Sequence, residues 1–283
     1  MTQIKNNINT YADLTAYNAD LNKEYPNVSY IQGTDEVKYS DPRTTAVYNI
    51  TSPTNVFVKG NTNNITKIEL NGQEIEPINY KYDFGTSGTY TLKYTFVNQN
   101  QIPNDTFDGC AQLTSITIPS GVTSIGQSAF QSCIGLTNIT IPNTVTSIGK
   151  SVFGGCTSLT SVTIPSGVTL FLETLFANCT SLTSVNIPSG VTLIGASVFN
   201  NCTSLTSVTI PSGVTSMGNY VFAKCTSLTS VTCLATTPPT LGTDIFYNAS
   251  NCPIYVPAES VETYKAASGW NMYSSRIQAI PSV

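Results

Sequence analysis

Six cysteines recur at intervals of 23 residues and are the first candidates for chemistry in this sequence. They are Cys110, Cys133, Cys156, Cys179, Cys202 and Cys225. A straight column of equivalent positions cannot surround one metal ion tetrahedrally, and disulfides between neighbouring repeats would demand a specific side-chain geometry. The spacing therefore favours free, buried thiols that act as small hydrophobic groups. Cys233 replaces a strand isoleucine and is also expected in the core. Cys252 lies outside the register, and a bond between these two cysteines stays open.

Other reactive side chains are scarce. The sequence has no histidine, which removes histidine-based nucleophile systems and histidine-ligated zinc. Between residues 109 and 232 the only charged residues are Lys150, Glu173 and Lys224. Lys150 and Glu173 are one repeat apart, so we expect a surface ion pair, with a catalytic pair as the alternative. A glycosidase needs two facing carboxylates. The sequence therefore predicts a protein that is not an enzyme and that needs no cofactor or metal.

The charge balance limits the partners of the chain. Twelve Lys and Arg against sixteen Asp and Glu give a net charge of −4, which disfavours nucleic acid. No segment approaches the roughly 18 to 20 apolar residues of a membrane helix, so membrane insertion is not expected. The first ten residues lack the apolar stretch of a secretory signal. We expect either export without a conventional signal or a chain that never crosses a membrane freely.

The elements that position these residues belong to a 23-residue repeat. Phenylalanine precedes each repeat cysteine by three residues, and leucine follows it by three, as in Phe199, Cys202 and Leu205. In that unit Val208 and Ile210 alternate with small polar residues, which predicts a short strand ended by proline. One unit cannot bury its apolar face alone, so the units must stack around a shared core.

The repeat resembles the BspA-type leucine-rich repeat family, over about residues 102 to 280. The resemblance implies a mainly β solenoid with short helical turns, here assigned to residues 101–283. The segment from about 253 to 283 resembles the C-terminal cap of this family. Its proline Pro257 suits a helix start and Gly269 a helix end.

The N-terminal hundred residues are more highly charged than the repeat and predict two further modules. Residues 1–43 are expected to form a small α+β attachment segment, with a helix over Tyr11 to Asn22 and a hairpin of residues 28–31 and 36–39. Residues 44–100 show several short strands and an Asn71-Gly72 hairpin signal, with no helical pattern. Strands at this spacing predict a small immunoglobulin-like β module.

Two surfaces of the solenoid are candidate partner-binding sites. The first is a pair of polar columns on the exposed strand positions, whose alternative role is simply a solvated sheet face: Ser115, Thr117, Asn138, Thr140, Ser161, Thr163, Ser184, Asn186, Ser207 and Thr209. The second is apolar. Leu170, Phe171 and Leu172 replace the usual Ser-Ile-Gly, and Leu193 repeats the change one coil later. If Phe171 fills the isoleucine position, the three leucines should project outward together as a contact patch. Local repacking of the core is the alternative.

These features predict a binding or scaffold protein. A part of the N-terminal segment of about 20 residues, which includes Tyr25 to Tyr39, is similar to segments in virion proteins of phages infecting gut anaerobes and in some bacterial surface proteins. We therefore expect a virion component, such as a fibre, tail or capsid decoration. In that setting the N-terminal region would join other virion or surface-assembly proteins, and the solenoid would contact host surface protein or glycan. The alternative is a bacterial cell-surface adhesin or a protein–protein interaction module of the BspA type, located outside the cell or on its surface. Self-association into a homo-oligomer stays open.

Overall fold

The fold is taken from a computed structural model, which describes residues 28–31, 36–39, 43–54, 56–60 and 63–281. The helix expected over Tyr11 to Asn22 lies outside the described residues. The expected hairpin is present, because β1 (Val28–Ile31) pairs antiparallel with β2 (Glu36–Tyr39).

Six strands follow before the first repeat. They are β3 (Thr44–Ile50), β4 (Val56–Phe57), β5 (Ile65–Leu70), β6 (Gln73–Glu74), β7 (Lys81–Tyr82) and β8 (Gly88–Phe96). The Asn71-Gly72 turn joins β5 to β6, and both turn residues have positive φ, 53° and 79°. Such a turn is what the Asn-Gly pair favours, since both residues tolerate the left-handed region.

The immunoglobulin-like module expected for residues 44–100 is not confirmed. Strands β6, β5, β8 and β3 form one antiparallel sheet that continues into β10 (Leu113–Thr117) of the first repeat, while β4 and β7 form only a separate pair. The physical reason is the open end of the solenoid, which must be covered. Tyr94 of β8 packs its ring 5.0 Å from that of Phe107, so the apolar face of this sheet caps the first coil. One hydrophobic core runs from Ala46 to Ile277.

The solenoid coils contribute to two rows of parallel strands, although the coil that contains Thr140 joins the first row only through bridges at that residue. The first, called here the strand face, contains β10, β13 (Ser161–Thr163), β15 (Ser184–Asn186), β17 (Ser207–Ile210), β19 (Ser230–Cys233), β21 (Ile254–Val256) and β22 (Ile277–Ala279). The second, called here the lateral ladder, contains β9 (Gln101–Ile102), β11 (Ser124–Ile125), β12 (Ser147–Ile148), β14 (Leu170–Phe171), β16 (Leu193–Ile194), β18 (Ser216–Met217) and β20 (Thr240–Leu241). The mainly β solenoid predicted from the repeat is confirmed.

Phenylalanine and cysteine columns form the centre of the stack. The rings of Phe107, Phe130, Phe153, Phe176, Phe199, Phe222 and Phe246 are stacked with centroids 5.4 to 5.9 Å apart. All eight cysteines are free and buried, which confirms the prediction that the spacing gave for the six repeat cysteines. Five of them have a role that the sequence did not reveal, since each thiol donates to the carbonyl oxygen of a phenylalanine one coil earlier. In the pair Cys202 and Phe176 this distance is 3.1 Å.

The C-terminal cap closes the other end of the core. It contains a 3₁₀ turn (Ala258–Ser260), helix α1 (Val261–Ala266) and a second 3₁₀ helix (Asn271–Arg276). The Trp270 indole donates to the carbonyl of Pro239 at 2.8 Å, so a buried polar group is satisfied at the end of the stack. No helix among the described residues is long and apolar enough to cross a membrane.

Two cap contacts also settle the partners of the last cysteines. The Cys233 sulfur lies 3.1 Å from the hydroxyl of Tyr264. The Cys252 sulfur instead accepts from the Arg276 guanidinium, at 3.5 Å. Each thiol therefore has its own polar partner, and the two are not joined.

Candidate binding face

The ten predicted polar residues lie on the strand face in register. Ser161 pairs with Ser184 and Thr163 with Asn186, and bridges extend the outer column to Thr117 and Thr140. Nine of the ten are exposed, and Ser115 is half-buried because β10 also pairs with β3. Strand alternation explains the exposure, since the intervening apolar residues point into the core.

These polar side chains have no partners within the described chain, whereas the neighbouring threonine column does. Thr137, Thr160, Thr183, Thr206 and Thr229 each donate a hydroxyl hydrogen bond to the carbonyl one coil earlier, at 2.9 to 3.5 Å. No side-chain hydrogen bond is formed by any of the ten face residues with the part of the chain that the structure describes. Their hydroxyl and amide groups are therefore available to water or to a partner.

A groove interrupts the strand face between β15 and β17. Within residues 63–281 these two strands are not paired, although β13 pairs with β15 and β17 with β19. The resulting groove has a volume of about 500 Å³ and is lined by Ser184, Asn186, Ser207 and Thr209 together with apolar residues, including Leu234. Four of the predicted residues thus meet at a concave site.

Sequence reasoning missed Leu234. It takes the position that proline holds in the five preceding repeats, and its free N–H donates to the carbonyl of Ile210 at 2.9 Å. A proline there could not make this bond. The Leu234 side chain is 41% exposed, so it gives the polar groove an apolar anchor. The loss of proline in the last repeat was a visible signal for this feature.

The leucine patch, which consists of Leu170, Leu172 and Leu193, has only part of the predicted geometry. Phe171 is fully buried, with ring centroids 6.1 Å from Phe176 and 6.3 Å from Phe199. Leu170 and Leu193 pair across β14 and β16 and are both exposed, while Leu172 is half-buried. The two exposed leucines are adjacent on the lateral ladder, and their role in binding stays a prediction.

Leu172 also changes the strand pairing of the lateral ladder, which the sequence did not reveal. Glycine occupies its position in five other coils, and a Cβ on Gly149 or Gly195 would lie 2.5 or 2.8 Å from backbone atoms of the preceding coil. Leucine cannot approach so closely. Within residues 63–281, the Leu172 N–H lacks the bond to the preceding coil that Gly149 and Gly195 make, and β12 is not paired with β14. The lateral ladder is therefore open at this coil.

The ion pair expected between Lys150 and Glu173 is wrong. Both side chains are exposed, and no ion pair joins them in the described chain. Their backbones are neighbours, since Ser151 N–H donates to the Glu173 carbonyl at 3.0 Å, but solvation of two long exposed side chains outweighs a weak attraction. Across the described residues, no group of three or more acidic or cysteine side chains is arranged to hold a metal ion.

Stacked coils, two parallel ladders and an inward Leu-Phe-Cys pattern define a leucine-rich repeat solenoid. The family described as the BspA type leucine rich repeat region matches the sequence with six copies, over residues 100–229 and 192–268. The chain belongs to this family. No curated protein matches it significantly.

Solved structures of similar proteins come from several bacteria. A leucine rich repeat protein of T. pallidum is 30% identical, with 53% of this chain and 71% of that chain covered and a TM-score of 0.49. A leucine-rich repeat protein from Bacteroides ovatus is 23% identical, with 68% and 70% covered and a TM-score of 0.39. A leucine rich cell surface protein from Faecalibacterium prausnitzii is 23% identical, with 63% and 65% covered and a TM-score of 0.31.

Proposed function

We propose that this protein is a non-enzymatic binding module whose strand face contacts a partner protein. The observation that carries the proposal is the row of exposed, uncharged polar groups without partners in the described chain. Leucine-rich repeats generally mediate protein–protein interaction, and proteins of this family are commonly found on bacterial cell surfaces. Both properties support a displayed binding module.

The groove between β15 and β17 is the centre of the proposed interface. An interface gains most of its affinity from a few anchors in well-packed pockets, surrounded by polar contacts. Leu234 supplies an apolar anchor point, and Ser184, Asn186, Ser207 and Thr209 surround it with donors and acceptors. A partner side chain that fills the groove would exclude water there, while the polar columns on the remaining coils would hold the flanking surface.

We consider two locations for the module, a bacterial cell surface and a virion. A bacterial cell surface agrees with the family, so we place it first. A virion component, with the N-terminal region attached to other virion proteins, follows only from the short N-terminal similarity, and none of the comparisons supports it. Neighbouring genes distinguish the two: capsid, portal or tail genes would favour the virion, and a surface-anchor or export locus would favour the cell surface.

The strand face is tested by a charged substitution with a matched control. Ser207→Arg places a long cation in the groove, and Ser147→Arg makes the same change at an exposed serine of the lateral ladder. Binding is measured by biolayer interferometry against a panel of purified mucosal and extracellular-matrix proteins. For a panel protein that binds the wild type, Ser207→Arg should weaken binding at least about tenfold, whereas Ser147→Arg should not change it. Equal effects of the two variants, or a panel with no binder, would overturn the proposal.

The leucine patch is proposed as a separate assembly contact. Leu170→Ser combined with Leu193→Ser restores serine to one exposed column of the lateral ladder, so the fold should persist. Size-exclusion chromatography with light scattering should show less self-association, or a pull-down with the assembly partner should weaken. If association is unchanged, the exposed leucines reflect local packing alone.

A further inference from the structure

A second cluster with binding chemistry lies on the turns between the two ladders, away from the strand face. It contains the rings of Tyr220 and Tyr247 and the carboxylate of Asp244. The ring centroids are 6.5 Å apart and the planes meet at 87°. Tyr220 is 38% exposed and Tyr247 is 51% exposed, so the rings form an open corner rather than part of the core.

The cluster departs from the composition of the other coils. The positions equivalent to Tyr220 in four earlier coils hold Ser128, Ser151, Thr174 and Ser197, and those equivalent to Tyr247 hold Gln131, Gly154, Ala177, Asn200 and Ala223. The turns therefore fold without an aromatic residue at either position. The fold of these turns therefore does not require the two exposed aromatic rings on adjacent coils.

The backbone holds these side chains in a conformation with an energetic cost. Tyr220 has φ 58° and Asp244 has φ 56°, a left-handed region that is uncommon for residues other than glycine, asparagine and aspartate. Hydrogen bonds keep this conformation, since Tyr220 N–H donates to Thr243 O at 3.0 Å and Tyr247 N–H to Asp244 O at 3.0 Å. The equivalent residues Ser128, Ser151, Thr174 and Ser197 have φ between 53° and 57°, so the turn of each coil sets this conformation and with it the direction of the Tyr220 side chain.

The third member of the cluster is the carboxylate of Asp244. Asp244 lies in the same turn as Tyr247, three residues earlier in the chain, and its carboxylate raises the pKa of Tyr220 by accepting a hydrogen bond from the phenol and through its negative charge. Asp244 is exposed, and within the described chain it has no ion pair. A free carboxylate oxygen is a strong acceptor for hydroxyl groups. The Lys224 N–H donates to the Tyr247 carbonyl at 2.7 Å, so the two turns are held side by side through their backbones.

We propose that Tyr220, Tyr247 and Asp244 form a binding site for a neutral sugar. A pyranose presents an apolar C–H face to an aromatic ring and hydroxyl groups at its edge to a carboxylate. The cluster contains both kinds of group within the dimensions of one sugar ring. An interface for a protein needs roughly 800 Å² on each partner, which three side chains among small polar residues do not supply. The site is open, so the expected dissociation constant is on the order of millimolar. It is independent of the strand face.

The proposal is tested by saturation-transfer NMR with the methyl glycosides of glucose, galactose, mannose and N-acetylglucosamine. Tyr220→Ser and Tyr247→Ala install residues that other coils use, so both variants should fold, as thermal unfolding would verify. Ile134→Thr is the matched control, because Ile134 is 48% exposed and lies outside both proposed sites, and threonine holds the equivalent position in later coils. We expect transfer to the ring C–H protons of at least one glycoside, a reduction of at least about tenfold in both tyrosine variants, and an unchanged signal in the control.

Three outcomes would overturn the site: no transfer to any of the four glycosides, transfer that survives in either tyrosine variant, or equal loss in the Ile134 control. A printed array that carries polysaccharide fragments beside N-linked and O-linked glycans then separates the two natural sources of such sugars. Failure of the strand-face experiment would leave these results unaffected, since the variants and probes are different.

Discussion

The buried thiols make the solenoid sensitive to alkaline pH. Burial raises the pKa of Cys110, Cys156 and Cys225 to about 12. In the unfolded chain the same thiols ionise near the ordinary pKa of about 8.5. A group whose pKa is higher in the folded state stabilises the fold fully below the unfolded pKa. That contribution is lost as pH rises towards the folded pKa.

The size of the loss follows from these two values. At pH 9.5 each unfolded thiol is about ten-elevenths ionised, which stabilises the unfolded state by about 1.4 kcal/mol, while the folded thiol stays almost wholly protonated. The three thiols together should lower the free energy of unfolding by about 4 kcal/mol between pH 7 and pH 9.5. The remaining thiols of the column, whose pKa values are also raised by burial, add to this loss.

Urea denaturation followed by far-UV circular dichroism measures the effect, with a phosphine reductant present at both pH values. The control is Cys156→Ala, which removes one thiol without adding volume. This variant will be less stable at both pH values, because it leaves a small cavity. Its stability difference between pH 7 and pH 9.5 should nevertheless be smaller than that of the wild type by about 1.4 kcal/mol.

Two results would refute the reasoning. One is a wild-type free energy of unfolding that changes by less than about 1 kcal/mol between the two pH values. The other is an identical pH difference in the wild type and in Cys156→Ala. Either result would mean that the thiols ionise within the folded coils, and hence that the cysteine column is reached by water.

Three further substitutions test local features, each by urea denaturation. Gly60→Ala should cost about 1 to 3 kcal/mol, because its Cβ would lie 1.8 Å from the carbonyl oxygen of Asp105 and would force the N-terminal sheet off the first coil. Lys224→Gly should raise stability by about 0.5 to 1 kcal/mol, because Lys224 has φ 60° and glycine adopts this conformation without steric cost. Tyr264→Phe should cost about 1 to 3 kcal/mol, because the Tyr264 hydroxyl donates to the buried Ala235 carbonyl at 2.7 Å.

Each substitution has a clear contrary result. Gly121→Ala is the control for Gly60, since nothing lies within 4 Å of the added Cβ, and equal effects of the two changes would exclude the proposed close approach. Lys224→Ala keeps a Cβ and should not stabilise as glycine does. A Tyr264→Phe variant as stable as the wild type would show that the cap carbonyl is satisfied by water instead.

Much of the solenoid could be predicted because its interactions repeat. A 23-residue period fixes which residues are equivalent, and equivalent residues on stacked coils must touch. Buried Phe171, the free cysteine column and the exposed polar columns all follow from this rule. The resemblance to the BspA-type family rested on the same residues.

The N-terminal sheet could not be predicted in the same way. Its strands were evident from their local pattern, but short strands alone do not show which surface will cover them. The structure joins β3 to β10, because the first coil leaves both an apolar face and a strand edge uncovered. Pairing between distant segments depends on the whole fold and leaves no local mark.

The features of the candidate sites also divide into those that the sequence predicts and those that depend on the whole fold. The sequence by itself determined the register of the strand face and the column of each polar residue, since strand alternation and the repeat period decide them. Only the tertiary structure decided where the ladders open, at the groove beside Leu234 and at the coil of Leu172, and that Tyr220 meets Tyr247. These features arise from the distances between neighbouring coils, which depend on close backbone contacts that a list of residues does not contain.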